Sequence, residues 1–130
     1  MSFALDTNTL SYFMRGEGRV AVRLAATPPQ QVALPAIVIY EINVGLRRIG
    51  RRAQLDGSAR MVQATTVLDF DIEAANHAAR IRLELEVAGT PIGPTDLLTA
   101  AIARRHGCVL LTHKVRELAR VRGPAVEDWY

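Results

Sequence analysis

Short apolar runs recur along the chain, separated by longer stretches of mixed polarity. Phe3-Ala4-Leu5 is the first, Val32-Ala33-Leu34 the second, Thr66-Val67-Leu68 the third and Cys108-Val109-Leu110-Leu111 the fourth and strongest. Ala125 and Val126 can add a short edge strand before Trp129. The intervening segments read as helices. Thr7-Asn8-Thr9 supplies side chains able to cap a helix from Leu10 to Arg15, and Val20 to Ala26 reads as another. Pro35 precedes a helix from about Ala36 to Arg52, and residues 54–64 carry a weaker helical pattern. The clearest helix follows Asp71, where Ala74, Ala78, Ile81, Leu85 and Ala88 form one apolar stripe that Gly89 ends. Thr95 can cap a last long helix from Asp96 to His106, with Gly107 as its stop. Short apolar strands alternating with helices imply a parallel sheet covered on both faces. The expected fold is therefore a three-layer α/β/α domain around a parallel sheet of four to five short strands, one domain over residues 1–130.

Composition narrows the class. With 49% apolar and 22% charged residues in 130, the chain has the make-up of a folded globular domain, which excludes disorder. No apolar stretch approaches the ~20 residues that cross a bilayer. The start shows no basic-then-apolar leader, and Cys108 is the only cysteine, so a reducing cytoplasm and no membrane are expected. Net charge is +3, and Lys114 is the only lysine among sixteen basic residues. Arginine's planar fork suits phosphate, so a polyanionic partner is one reading of the excess; an arginine-rich composition without function is the other. Aromatics, at 5%, are too few for a base-stacking platform.

Three acids stand out by position. Asp6 ends the first strand, Glu41 lies about one and a half turns into the helix after the second, and Asp96 begins the helix before the fourth. Open parallel sheets bind ligands outside the carboxyl ends of their strands. Each acid has apolar neighbours in sequence, and converging carboxylates repel unless a cation lies between them. A divalent ion resolves the conflict. Carboxylate and water ligands suit Mg²⁺ or Mn²⁺, whereas the chain lacks the Cys/His spacing of a zinc site. Each acid also has a purely structural reading: Asp6 and Asp96 as helix caps, Glu41 paired with Arg47 or Arg48.

Leu5-Asp6-Thr7-Asn8, Tyr40-Glu41-Ile42 followed by Gly45, and the run from Pro91 to Ala101 resemble the successive motifs of PIN-domain ribonucleases. So do Leu111-Thr112-His113, Arg116-Glu117-Leu118 and Val126-Glu127-Asp128-Trp129. The closest subgroup is the toxins of VapBC toxin–antitoxin pairs, and the likeness spans essentially the whole chain. It implies a Mg²⁺-dependent endoribonuclease that leaves a 5′-phosphate and a 3′-hydroxyl. Asp6 and Asp96 match the family's metal-binding acids, Glu41 the third acid, Glu117 an acid that completes the cluster, and Thr112 a supporting hydroxyl. The resemblance also implies an RNA substrate, a small cognate antitoxin, a homodimer, and contact with DNA only through the antitoxin. Lys114 departs from the pattern, since many relatives carry Asn or Asp there. A charged lysine cannot be a ligand; it neutralises an acid, contacts the scissile phosphate or faces solvent.

Arg47, Arg48, Arg51 and Arg52 form the densest basic run. If their helix is continuous, Arg48 and Arg52 share a side with Glu41 and can hold flanking phosphates, as Lys114 can; a solvated helix face is the plain alternative. Leu10, Tyr12 and Phe13 are either core or a docking groove for the antitoxin. Other readings carry less. A metal-free transphosphorylation by His113 and Lys114 is weakened because adjacent strand residues face opposite sides. An aspartyl phosphohydrolase needs a second acid where Asn8 stands. The main alternative function is a catalytically weak PIN-like subunit that acts mainly by binding an antitoxin and co-regulating its operon.

Overall fold

The computed structural model describes all 130 residues. Five strands, β1 (Phe3–Leu5), β2 (Val32–Pro35), β3 (Thr66–Leu68), β4 (Val109–Leu111) and β5 (Val126–Glu127), form one sheet in the order β3-β2-β1-β4-β5. All four pairings are parallel. From β1 the chain builds outward through β2 to β3, then crosses back to lay β4 on the other side of β1. The switch in winding therefore falls between β1 and β4, where Leu5 is paired with Leu111.

Seven helices fill the connections: α1 (Thr7–Arg15), α2 (Val20–Ala25), α3 (Ala36–Ile49), α4 (Arg52–Ala64), α5 (Ile72–Ala88), α6 (Pro94–His106) and α7 (Val115–Leu118). Strand residues alternate between two cores, as the period of two requires. Leu5, Val32, Leu34, Val109 and Leu111 pack with Leu10, Val20, Val38 and Ile42 on one face. Ala4, Ala33 and Leu110 pack on the other with α5 and α6, whose small residues Ala74, Ala78, Ala100, Ala101 and Ala103 let the layers approach closely. The sheet is thus covered on both sides, as the pattern of apolar runs predicts.

Several helix boundaries differ from the sequence reading. The helix expected to run from Ala36 to Arg52 stops at Ile49, because Gly50 takes a left-handed conformation (φ 65°) and caps it through its N–H to Arg47 and Leu46. Arg51 and Arg52 then belong to the entry of α4. The first helix begins at Thr7 with Asp6 itself as the cap, rather than after Thr9. The single turn α7 was not legible in the apolar pattern, being only four residues long.

The carboxyl terminus is fastened across the first core. Trp129 is buried against Phe3, with ring centroids 4.9 Å apart, and the Arg23 guanidinium lies over its ring. Tyr130 passes Gly18 so closely that a Cβ there would come within 2.9 Å of it.

Candidate active site

Asp6 stands at the end of β1, beside the switch point. Its backbone N–H donates to the Leu111 carbonyl (3.0 Å), prolonging the β1–β4 ladder by one residue. Its Oδ1 accepts the Thr9 N–H at 2.8 Å, so the carboxylate does cap α1. Capping uses one oxygen only. Oδ2 is buried with no hydrogen-bond partner, and the whole residue is 3% exposed. Burial pushes the carboxyl above the usual range; the hydroxyl of Thr112 and the amide and hydroxyl of Thr9 oppose the rise, and the charge of Asp96 adds to it.

Thr112 follows β4 as Asp6 follows β1, and it is completely buried. Its N–H donates to the Glu127 carbonyl (2.9 Å), and its hydroxyl accepts the N–H of Lys114 (3.0 Å). The hydroxyl thereby turns the chain out of the sheet toward α7. Thr9 adds a second tie, donating its hydroxyl to the Leu111 carbonyl at 3.0 Å.

Asp96 lies in the first turn of α6, which begins at Pro94 behind Gly93, two residues earlier than a Thr95 cap predicts. Its Oδ2 accepts Lys114 Nζ at 3.1 Å. Partial burial works against the Lys114 charge, yet the hydrogen bond it donates to Asp96 and the charges of Asp96, Asp6 and Glu117 raise its pKa overall. Of the options open to Lys114 in the sequence, neutralising an acid is the one this geometry realises. Three acids therefore address one ammonium.

Glu41 projects from α3, where its Oε1 accepts the hydroxyl of Thr7, the residue next to Asp6. No three carboxylate, imidazole or thiol side chains are gathered closely enough to make a ready-formed metal cluster. The tight convergence of Asp6, Glu41 and Asp96 expected from the sequence is thus corrected: Asp96 pairs with Lys114 and Glu41 turns to Thr7. The donor set still fits a hard divalent ion. Mg²⁺ keeps several of its waters and needs only one or two protein carboxylates, and Asp6 offers an orphaned buried oxygen whose neighbouring acid is Asp96.

The arginines divide differently from the sequence reading. With Gly50 ending α3, Arg48 and Arg52 do not lie on one continuous helix. Both are exposed, and Arg52 lines a groove with Asn43, Arg47 and Asp56. A separate groove beside Glu41 is bordered by Asn8, Ser11, Arg15, Arg51 and Gln54. Sequence reasoning missed Arg15 and, within the basic run, favoured Arg48 and Arg52 over Arg51, because only the break at Gly50 brings Arg51 into this groove.

His113 belongs to the carboxyl-terminal fastening instead of the acids. Its Nδ1 lies 2.9 Å from Asp128 Oδ2, and its ring packs on Tyr130 and against Tyr12. The His113–Lys114 transphosphorylation reading fails on this point: the two side chains have separate partners. Leu10 is core, and Tyr12 and Phe13 pack against the same core.

A doubly covered parallel sheet with two interacting aspartates near its switch point suits carboxylate-based chemistry of the hydrolase kind. The PIN domain model matches residues 3–124 of this chain. A tRNA(fMet)-specific endonuclease VapC from Salmonella typhimurium is 30% identical over 130 residues, covering 99% of this chain and 98% of the relative. The structure of DNA-bound VapBC from Salmonella typhimurium superposes with a TM-score of 0.91 at 30% identity, covering 100% of this chain and 99% of that one. VapBC2 of Rickettsia felis bound to a promoter DNA fragment gives 0.86 at 25% identity, with both chains fully covered. The chain belongs to the PIN domain family, as a VapC-type ribonuclease toxin of a type II toxin–antitoxin system. Nucleases of this family are typically metal-dependent. No helix is long and apolar enough to cross a membrane.

Proposed function

We propose that the chain is an endoribonuclease whose divalent ion, Mg²⁺ or Mn²⁺ in its place, is held by Asp6 and Asp96. The observation that carries this is the buried, unpartnered Oδ2 of Asp6 beside the charge of Asp96 at the switch point of the sheet. When bound, the ion offsets phosphodiester charge and makes water a better nucleophile near neutral pH. Glu41, anchored by Thr7, orients the attacking water, and Glu117 on α7 adds a further negative charge at the rim. Thr112 keeps the α7 approach in register with Asp6 through its bond to the Lys114 amide. Arg15 and Arg51, bordering the groove beside Glu41, receive phosphates of the flanking strand, with Arg48 and Arg52 as outer contacts.

The substrate is RNA, and a structured RNA of the tRNA kind is the first to test, since the Salmonella relative is named for tRNA(fMet). The partner is a small cognate antitoxin; the toxin forms a homodimer and meets DNA only through that antitoxin. Both Salmonella and Rickettsia complexes contain DNA, which supports this arrangement. The reading is tested by incubating an initiator tRNA and an unrelated folded RNA with wild type, Asp6→Asn and Asp96→Asn, with Mg²⁺ or EDTA, and mapping the ends. Cleavage by wild type alone, dependent on Mg²⁺ and leaving 5′-phosphates, is expected. Full activity of Asp96→Asn, or cleavage in EDTA giving 2′,3′-cyclic phosphates, overturns the assignment.

A further inference from the structure

We infer that Lys114 is an internal competitor for the divalent ion: its ammonium occupies the Asp96 carboxylate and thereby sets how much metal the site requires, an inference resting on the metal reading above. The ammonium lies 3.1 Å from Asp96 Oδ2, on the carboxylate that would also hold the ion. A protonated amine has no lone pair, so it cannot join a coordination shell. The ion and the ammonium therefore compete for one negative charge and repel one another, so an ion binds more readily when the tethered cation moves away. The tether is short and fixed at both ends. Lys114 N–H is held by the Thr112 hydroxyl (3.0 Å), and its carbonyl accepts the Leu118 N–H (3.0 Å) as α7 begins. A stem starting from so constrained a backbone keeps its charge at high local concentration beside the acids.

The pair is also free to open. The Lys114 side chain is 41% exposed and that of Asp96 22%, so water can take over the ammonium when an ion arrives. The same lysine meets the charges of Asp96, Asp6 and Glu117 together, which lets one monovalent group relieve repulsion in the metal-free protein. Lys114 thus exchanges affinity for the ion against stability without it. The lone lysine of an otherwise arginine basic set is suited to this, being a compact point charge on a flexible stem.

The test is calorimetric titration of Mn²⁺ into metal-free wild type, Lys114→Met, Lys114→Arg and Asp96→Asn, with melting curves of each in EDTA and in Mn²⁺. Lys114→Met keeps the length of the stem at a half-exposed position, and circular dichroism checks its fold. It is expected to bind Mn²⁺ roughly two- to fivefold more tightly than wild type, the range set by a partly exposed ion pair. It should also melt lower in EDTA and gain more from Mn²⁺. Lys114→Arg should stay close to wild type, and Asp96→Asn should bind weakly. Unchanged or weaker Mn²⁺ binding by Lys114→Met overturns the competitor role while leaving the metal site standing. Absence of Mn²⁺ binding in wild type and both Lys114 variants overturns the metal reading itself, and the competitor with it.

Discussion

At the scale of single residues, Asp6 joins two tasks that sequence inspection could only set side by side. One oxygen caps α1 and the other is left buried and free. Asn replaces Asp well at a helix cap, so Asp6→Asn should keep the fold while removing a charge that is costly to bury. We expect its metal-free form to melt at or above the wild-type temperature, while cleavage is lost; a clear fall in melting temperature would show that the charge itself holds the fold. Thr112→Val tests the neighbouring tie. It strands the Lys114 N–H in a partly buried place, which should cost about 1–2 kcal/mol in urea denaturation. The positions of Asp6, Glu41 and Asp96 in their motifs were legible from the sequence, but their partners were not. Lys114 meeting Asp96 joins residues eighteen apart, and Thr7 meeting Glu41 joins residues thirty-four apart.

Among the elements, helices with strong local signals came out where the pattern placed them. Asp71 caps α5 by accepting the Ala74 N–H at 2.8 Å, and Gly89 closes the helix. That hydrogen bond, followed by the charge of Arg105, holds the Asp71 carboxyl below its usual value of 3.8. The native state then binds fewer protons than the unfolded chain just below that value. The contribution is complete above pH 3.8 and fades as acid titrates Asp71 through its depressed value. Asp71→Ala should consequently lower the melting temperature more at pH 7 than at pH 3; equal losses would remove the linkage. Gly50 shows the opposite case, where one residue overrode a run of helix formers. Gly50→Ala forces a Cβ into the left-handed region and should cost about 1 kcal/mol by chemical denaturation. The apolar pattern carried straight through this position, so only the backbone angle separates α3 from α4.

Across the whole molecule, the order β3-β2-β1-β4-β5 decides what the acids can do together. It puts Asp6 and Thr112 on adjacent strands at the winding switch and brings α6 and α7 to the same end. The break at Gly50 meanwhile separates the arginines, leaving Arg15 and Arg51 by Glu41. Reversing both, as Arg15→Glu with Arg51→Glu, should flatten the salt dependence of RNA affinity more than reversing Arg48 and Arg52, because counterion release follows the phosphates held. Equal slopes would place the RNA elsewhere. Local pattern was sufficient for the class of fold, for most elements, and for which acids belong to recurring motifs, since periodicity, caps and turn residues act over a few neighbours. Which carboxylate oxygen stays free, which acid the single lysine answers, and which arginines line a common groove depended on tertiary structure. Those facts arise from contacts between distant segments, whose geometry is set only when both faces of the sheet are packed.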